Sequence, residues 1–363
     1  MTDRELPSVA ASPLWDDRLL EGFDFSCRTD CALCCYAAPR IDAADRHAWG
    51  AAARSVPHEI DAEGTRRIPE QAPGGACRML TGTRCSIHRW RPGVCASFPV
   101  DVYAGIGRWQ ASVVLSCPGL SLGGLGRSAR GAGAVPPTLG GALAAERIAA
   151  RARTKEPVAV DAFRRVTQRR ASLERRGQRR SGWADAPTIR ASLRETSELP
   201  WAGQWPGEPP PSADQGSEYL PLFFDHRAGP VAIADDGDAW ELLELRPNGR
   251  TEALGRFRLP ESPPRLTAEG AHALRSYLAY WLDRDGLWDL AVAGWIADEE
   301  RRPLEERMLE ELGVVGATVV ARGYVRALAR GDPGVSLDRS AVENGIRASD
   351  ADLLDRATLG AVL

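Results

Sequence analysis

Phe23-Asp24-Phe25-Ser26-Cys27-Arg28-Thr29-Asp30-Cys31-Ala32-Leu33-Cys34-Cys35 is the stretch on which the reading of this chain turns. It sets four thiols in the pattern Cys-x-x-x-Cys-x-x-Cys-Cys. With two or three residues between them, a turn or a first helical turn lets thiols converge on one metal. The last two are adjacent, and neighbouring side chains diverge. Cys34 and Cys35 therefore suit two sites, or one ligand and one supporting thiol, better than two positions on one tetrahedral ion.

Four further cysteines follow at looser spacing: Cys77, Cys85, Cys95 and Cys117. They lie in a region dense in Gly74, Gly75, Gly82, Pro92, Gly93, Pro99, Pro118 and Gly119, which cannot build a long helix and needs a metal to organise it. No cysteine occurs after residue 117, so the confinement marks a boundary by itself. Eight incidental thiols would not cluster in this way. Disulfides are disfavoured because the N-terminus lacks a basic-then-apolar leader, which predicts a cytoplasmic, reducing location. Two structural Cys₄ zinc sites would use all eight thiolates, whereas a 4Fe–4S cluster would use four and leave the rest around it.

These residues carry a resemblance. Phe23 to Cys35, then Cys77-Arg78-Met79-Leu80, then Cys85-Ser86-Ile87-His88-Arg89-Trp90-Arg91-Pro92-Gly93-Val94-Cys95, Phe98-Pro99 and Cys117-Pro118-Gly119 resemble the zinc- or iron-chelating cysteine-cluster family (YkgJ-like). The resemblance implies that Cys27, Cys31, Cys34, Cys35, Cys77, Cys85, Cys95 and Cys117 hold iron, as a 4Fe–4S cluster, or zinc. His88 stands where the family usually has tyrosine, and Ala96 where arginine is common. His88 is expected to pack on the centre as an aromatic rather than to ligate. Arg91 is expected to bond a thiolate or a carboxylate, and the prolines to hold the loop presenting Cys95.

The chain is similar to the flagellin lysine N-methylases in its cysteine cluster. That likeness implies, as an alternative, an S-adenosylmethionine-dependent protein N-methylase. No glycine-rich nucleotide loop follows a strand to mark a methyl-donor site. The spacing Cys27-x-x-x-Cys31-x-x-Cys34 alone is that of radical S-adenosylmethionine enzymes. Leu33 replaces their usual aromatic, however, and no alternating strand–helix barrel follows. Gly119-Leu120-Ser121-Leu122-Gly123 imitates a nucleophile elbow, but the glycines after it do not open a helix.

The net charge of −3 gives no signal for nucleic acid, and no stretch reads as a membrane span. Lys155 is the one lysine among 46 basic residues. We expect an α+β chain: a small irregular cysteine domain organised by metal (15–120), a Gly/Ala-rich linker with basic helices (121–186), and a mixed sheet and helix domain (187–363). The arginine-rich 151–180 segment reads first as a solvated helix and linker, and second as a docking surface for an acidic protein partner. Strands are expected near Tyr219–Phe224, Val231–Ala234, Ala239–Leu245 and Leu254–Leu259, with a turn at Pro247-Asn248-Gly249. Leu274, Tyr277, Leu278, Trp281 and Leu282 form the buried stripe of a helix, as do Leu304, Met308 and Leu312, and Val320, Tyr324 and Leu328.

Overall fold

A computed structural model describes residues 15–28, 31–36, 39–50, 55–61, 64–104, 109–125, 145–150, 172, 186–195, 222–225, 229–235, 239–297, 302–331 and 336–362. It is an α+β fold with small sheets and several helices. The basic 151–180 segment, apart from Ser172, lies outside the described residues, as does the Trp- and Pro-rich Trp201–Pro211 segment, expected to be a second irregular linker.

Four small sheets are present among the described residues. In the cysteine-bearing part, β1 (Trp15–Asp16) runs parallel to β7 (Trp109–Val113), which pairs antiparallel with β6 (Val100–Ala104). Two minimal hairpins lie between them in sequence: β2 (Glu59–Ile60) with β3 (Arg66–Arg67), and β4 (Leu80–Thr81) with β5 (Arg84–Cys85). The fourth sheet is an antiparallel meander of β8 (Leu222–Asp225), β9 (Gly229–Asp235), β10 (Trp240–Leu245) and β11 (Thr251–Phe257). All four expected strands fall within a few residues of these. The Pro247-Asn248-Gly249 turn joins β10 to β11, with Gly249 at φ +77°, a backbone conformation natural to glycine.

The helices are α1 (Ala43–Trp49), α2 (Gly93–Ser97), α3 (Ala186–Glu195), α4 (Ala268–Asp283), α5 (Asp285–Ala297), α6 (Leu304–Ala329) and α7 (Arg339–Val362), with a further helical stretch at 145–150. The stripe Leu274, Tyr277, Leu278, Trp281, Leu282 is buried on α4 as its spacing predicts. The stripes begun at Leu304 and at Val320 lie on one helix, α6. By length and hydropathy α6 could cross a membrane, which corrects the expectation that no stretch is apolar enough. The physical reason for its apolar character is packing: 78 % of its most apolar window is buried inside the protein. Buried Arg322 and Arg326 bond from α6 to the Ala348 and Asn344 carbonyls of α7.

One apolar core joins the cysteine-bearing part to these helices. Phe23, Val102, Val113 and Leu115 share it with Tyr277 and Trp281, and Phe23 meets Tyr280 edge-on at 5.5 Å between ring centroids. Its polar centre is an ion pair without solvent exposure. Arg284 donates from Nη1 to Asp350 Oδ1 at 2.7 Å and from Nη2 to the Val113 carbonyl at 2.8 Å. Asp350 also accepts from Tyr277 at 2.9 Å and from the Leu115 amide at 2.7 Å. Burial opposes the Arg284 charge, but Asp350 and Tyr280 outweigh it and its pKa is raised. The guanidinium lies 4.5 Å from the Tyr280 ring centroid and 4.7 Å from that of Trp281.

Two consequences can be measured. Asp350→Ala strands a buried guanidinium and frees the Leu115 amide, and is expected to cost about 3–5 kcal/mol in denaturant unfolding. Gly249→Ala forces a side chain into a positive φ, with its Cβ 2.4 Å from the Pro73 carbonyl. It is expected to cost about 1–3 kcal/mol by the same measurement, and a smaller loss would show that the turn can move away.

Candidate metal centre

The segment after β1 leads into the first thiols along a short ladder. Ser26 donates its amide to Gly119 O at 2.9 Å, and Ser121 donates to Asp24 O at 2.9 Å, with Phe25 bridging Leu120. This antiparallel pairing lays the residues before Cys27 beside those after Cys117. It requires Gly119, because a Cβ there would stand 2.5 Å from Ser26 O. Ala32, at φ 52°, then turns the chain into a single 3₁₀ turn over Leu33–Cys35.

The second cysteine group meets the first at Cys35. The Cys77 amide donates to Cys35 O at 2.6 Å, and the Leu80 amide closes a turn on Cys77 O at 2.9 Å. That turn feeds the β4–β5 hairpin, in which Leu80 pairs with Cys85. Gln71 secures it by donating from Nε2 to the Leu80 carbonyl at 2.9 Å. Beneath lies a small apolar cluster of Ile41, Trp49, Val56, Ile68 and Ile87, against which Cys35, Cys77 and Cys85 pack.

Cys95 is carried by α2, whose start is held from the insert between the cysteine groups. Asp42 and Asp45 form a reciprocal capping box on α1, and Asp45 Oδ1 also accepts the Gly93 amide at 2.8 Å. The sequence reading overlooked Asp45. An Asp-x-x-Asp pair before a short helix was the available signal. Two arginines were also missed. Arg147 donates to Ala96 O at 2.9 Å and to Phe98 O, and Arg347 donates to Cys117 O at 2.6 Å and Leu120 O at 2.7 Å. No local signal marks either.

All eight cysteines are free thiols, and all eight are among the described residues. No group of three or more His, Cys, Asp or Glu among the described residues is already arranged to hold a metal ion. The thiols are nevertheless near enough to act on one another. The charge of Cys34 raises the cost of ionising Cys77, Cys85, Cys95 and Cys117, while that of Cys31 bears on Cys117. Cys27, exposed at the edge, joins the group through Arg147, whose charge is shared with Cys117.

Two opposing effects set the protonation of these thiols. Burial comes first for Cys77, Cys85, Cys95 and Cys117 and lifts each, Cys117 to about 12. Against it, backbone amides two residues ahead point at sulfur: Leu33 donates to Cys31 Sγ at 3.3 Å, Met79 to Cys77, Ile87 to Cys85 and Gly119 to Cys117. Amides aimed at sulfur favour the thiolate, the form that binds metal. The adjacent pair does not diverge as expected: a hydrogen bond from Cys35 holds Cys34 down to about 7, and the same bond lifts Cys35.

His88 does not pack on the centre as expected. It is exposed, and its Nε2 accepts from Arg91 Nη1 at 2.6 Å. Burial and the Arg91 charge lower its pKa. Arg91 thus spends its hydrogen bond on His88, while its charge favours the thiolates of Cys34, Cys85 and Cys95.

The donor set fits a thiophilic metal. Soft thiolates select iron–sulfur clusters and zinc, and a cation reverses the cost that burial and mutual repulsion place on ionised sulfur. No curated protein and no solved structure matches the chain. The match that does exist leaves Cys117, Arg147 and Arg347 outside it. Over residues 26–112 the chain matches the CxxCxxCC family, described as a "putative zinc- or iron-chelating domain".

Proposed function

We propose that this protein chelates iron through its cysteine centre, as a 4Fe–4S cluster. The observation that carries the reading is the recurrence of one local device. At Cys31, Cys77, Cys85 and Cys117 an amide two residues ahead donates to sulfur, although these thiols come from separate turns. Such amides tune the charge and potential of sulfur-ligated iron. Free thiols that remain protonated have no need of them.

Iron is preferred to zinc because of the adjacent pair. Cys34 and Cys35 hydrogen-bond to each other, so one thiolate is held by the neighbouring thiol. Two Cys₄ zinc ions would need every thiolate as a direct ligand and would break that bond. A cluster needs four and leaves the remainder to bond and screen it. The four whose partner amide lies two residues ahead are the ones we assign as direct ligands, with Cys27, Cys34, Cys35 and Cys95 around them. When bound, the cluster would supply a one-electron redox centre and a cross-link among chain segments.

Anaerobic purification followed by iron, zinc and acid-labile sulfide analysis tests this. A brown protein with matching iron and sulfide is expected. Cys31→Ser and Cys77→Ser should each remove most of both, while His88→Ala should leave them unchanged. A colourless protein with about two zinc ions per chain would replace the cluster with paired zinc sites. Metal loss in His88→Ala would make that imidazole a ligand and overturn the ligand assignment.

A further inference from the structure

We propose that Arg147 and Arg347 are positioning residues of the cysteine centre, clamping the loops that carry Cys95 and Cys117 and bringing positive charge to the centre's thiolates. The inference rests on the chelation reading and goes beyond it, because both arginines lie outside the segment that matches the chelating family.

Arg147 is buried in the 145–150 helical stretch. Its Nη1 donates to Ala96 O at 2.9 Å and to Phe98 O, gripping the C-terminal end of α2, the helix that presents Cys95. The same guanidinium lies 4.5 Å from the centroid of the Phe25 ring, two residues before Cys27. One side chain thus joins the Cys95 helix to the approach of Cys27, and its charge bears on Cys27 and Cys117.

Arg347 reaches the centre from α7. Nη1 donates to Cys117 O at 2.6 Å and Nη2 to Leu120 O at 2.7 Å, with Leu115 O at 3.4 Å. Its charge also favours the Cys117 thiolate. Close by on α7, Asp350 takes the Leu115 amide and the Ala351 amide bonds Ser116 Oγ at 3.0 Å, so the segment leading to Cys117 is held along its length. Lysine could restore the charge of either arginine, but not the fork with which Arg347 spans the Cys117 and Leu120 carbonyls.

Two cations brought to a centre rich in anionic sulfur meet an electrostatic need. A centre with several thiolates carries net negative charge even with metal bound, and burial intensifies it. A purely structural arginine would lose as much to lysine as to glutamine, and the test turns on that difference.

Co²⁺ is titrated into the anaerobic, reduced, metal-free full-length chain, in competition with a chelator, for wild type and for Arg147→Gln, Arg147→Lys, Arg347→Gln and Arg347→Lys. The Gln variants should bind Co²⁺ about 10–100-fold more weakly, with their cobalt–thiolate absorption shifted, and the Lys variants should recover most of the affinity. Thermal unfolding of the metal-free forms reports on folding separately, and the Arg147 pair decides if an Arg347 variant does not fold. Gln variants that bind like wild type overturn the proposal and leave chelation standing. Equal losses in Gln and Lys variants, matched by lower unfolding temperatures, reduce both residues to structural braces and overturn it. Wild type that takes up neither Co²⁺, zinc nor iron overturns both.

Discussion

Crowding of ionisable sulfur is the constraint on which the rest of this structure depends. The charges of Cys31, Cys34, Cys77, Cys85 and Cys95 each act on another cysteine, and burial pushes Cys77, Cys85, Cys95 and Cys117 toward the neutral thiol. A chain gains nothing by packing such groups together unless a cation joins them. The amides aimed at Cys31, Cys77, Cys85 and Cys117, and the arginines 91, 147 and 347, all act in the same direction, toward the thiolate.

The remainder of the chain serves that constraint by bracing the loops. Two contacts carry this bracing. The turn between β10 and β11 accepts the Ala76 amide on Pro247 O at 2.9 Å, next to Cys77, and Tyr36 donates to Leu245 O at 3.4 Å, next to Cys35. On the other side, α7 holds residues 115–120 through Arg347, Asp350 and the Ala351 amide. The Asp350–Arg284 pair at the foot of this second contact is costly to bury, and its hydrogen bonds to Tyr277, Val113 and Leu115 make it tolerable. Folding of the helices and shaping of the metal centre are therefore parts of one packing problem.

Much of the local structure was legible. Strand and turn positions from residue 222 onward followed from alternation and from Pro247-Asn248-Gly249, because period-two patterning and glycine turns are properties of a few adjacent residues. Helix stripes were legible for the same reason, although the two stripes of α6 gave no sign of being continuous. Its apolar length was under-read for a different reason. A helix surrounded by protein on most sides has the composition of one surrounded by lipid. His88 was misread because an aromatic ring beside a cysteine motif has no sequence mark that separates packing inward from bonding outward to Arg91.

The sequence by itself determined the donor chemistry: eight thiols confined to residues 27–117, the adjacent Cys34–Cys35 pair, and the glycines and prolines that turn the backbone between them. These depend on residue type and short spacing, which a linear chain displays openly. Only the tertiary structure decided which thiols are neighbours, which amides face sulfur, and which arginines complete the centre. Arg347 and Cys117 lie 230 residues apart, so their contact exists only once the helices have closed the core around Asp350. No local pattern can encode a contact whose partners are brought together by packing.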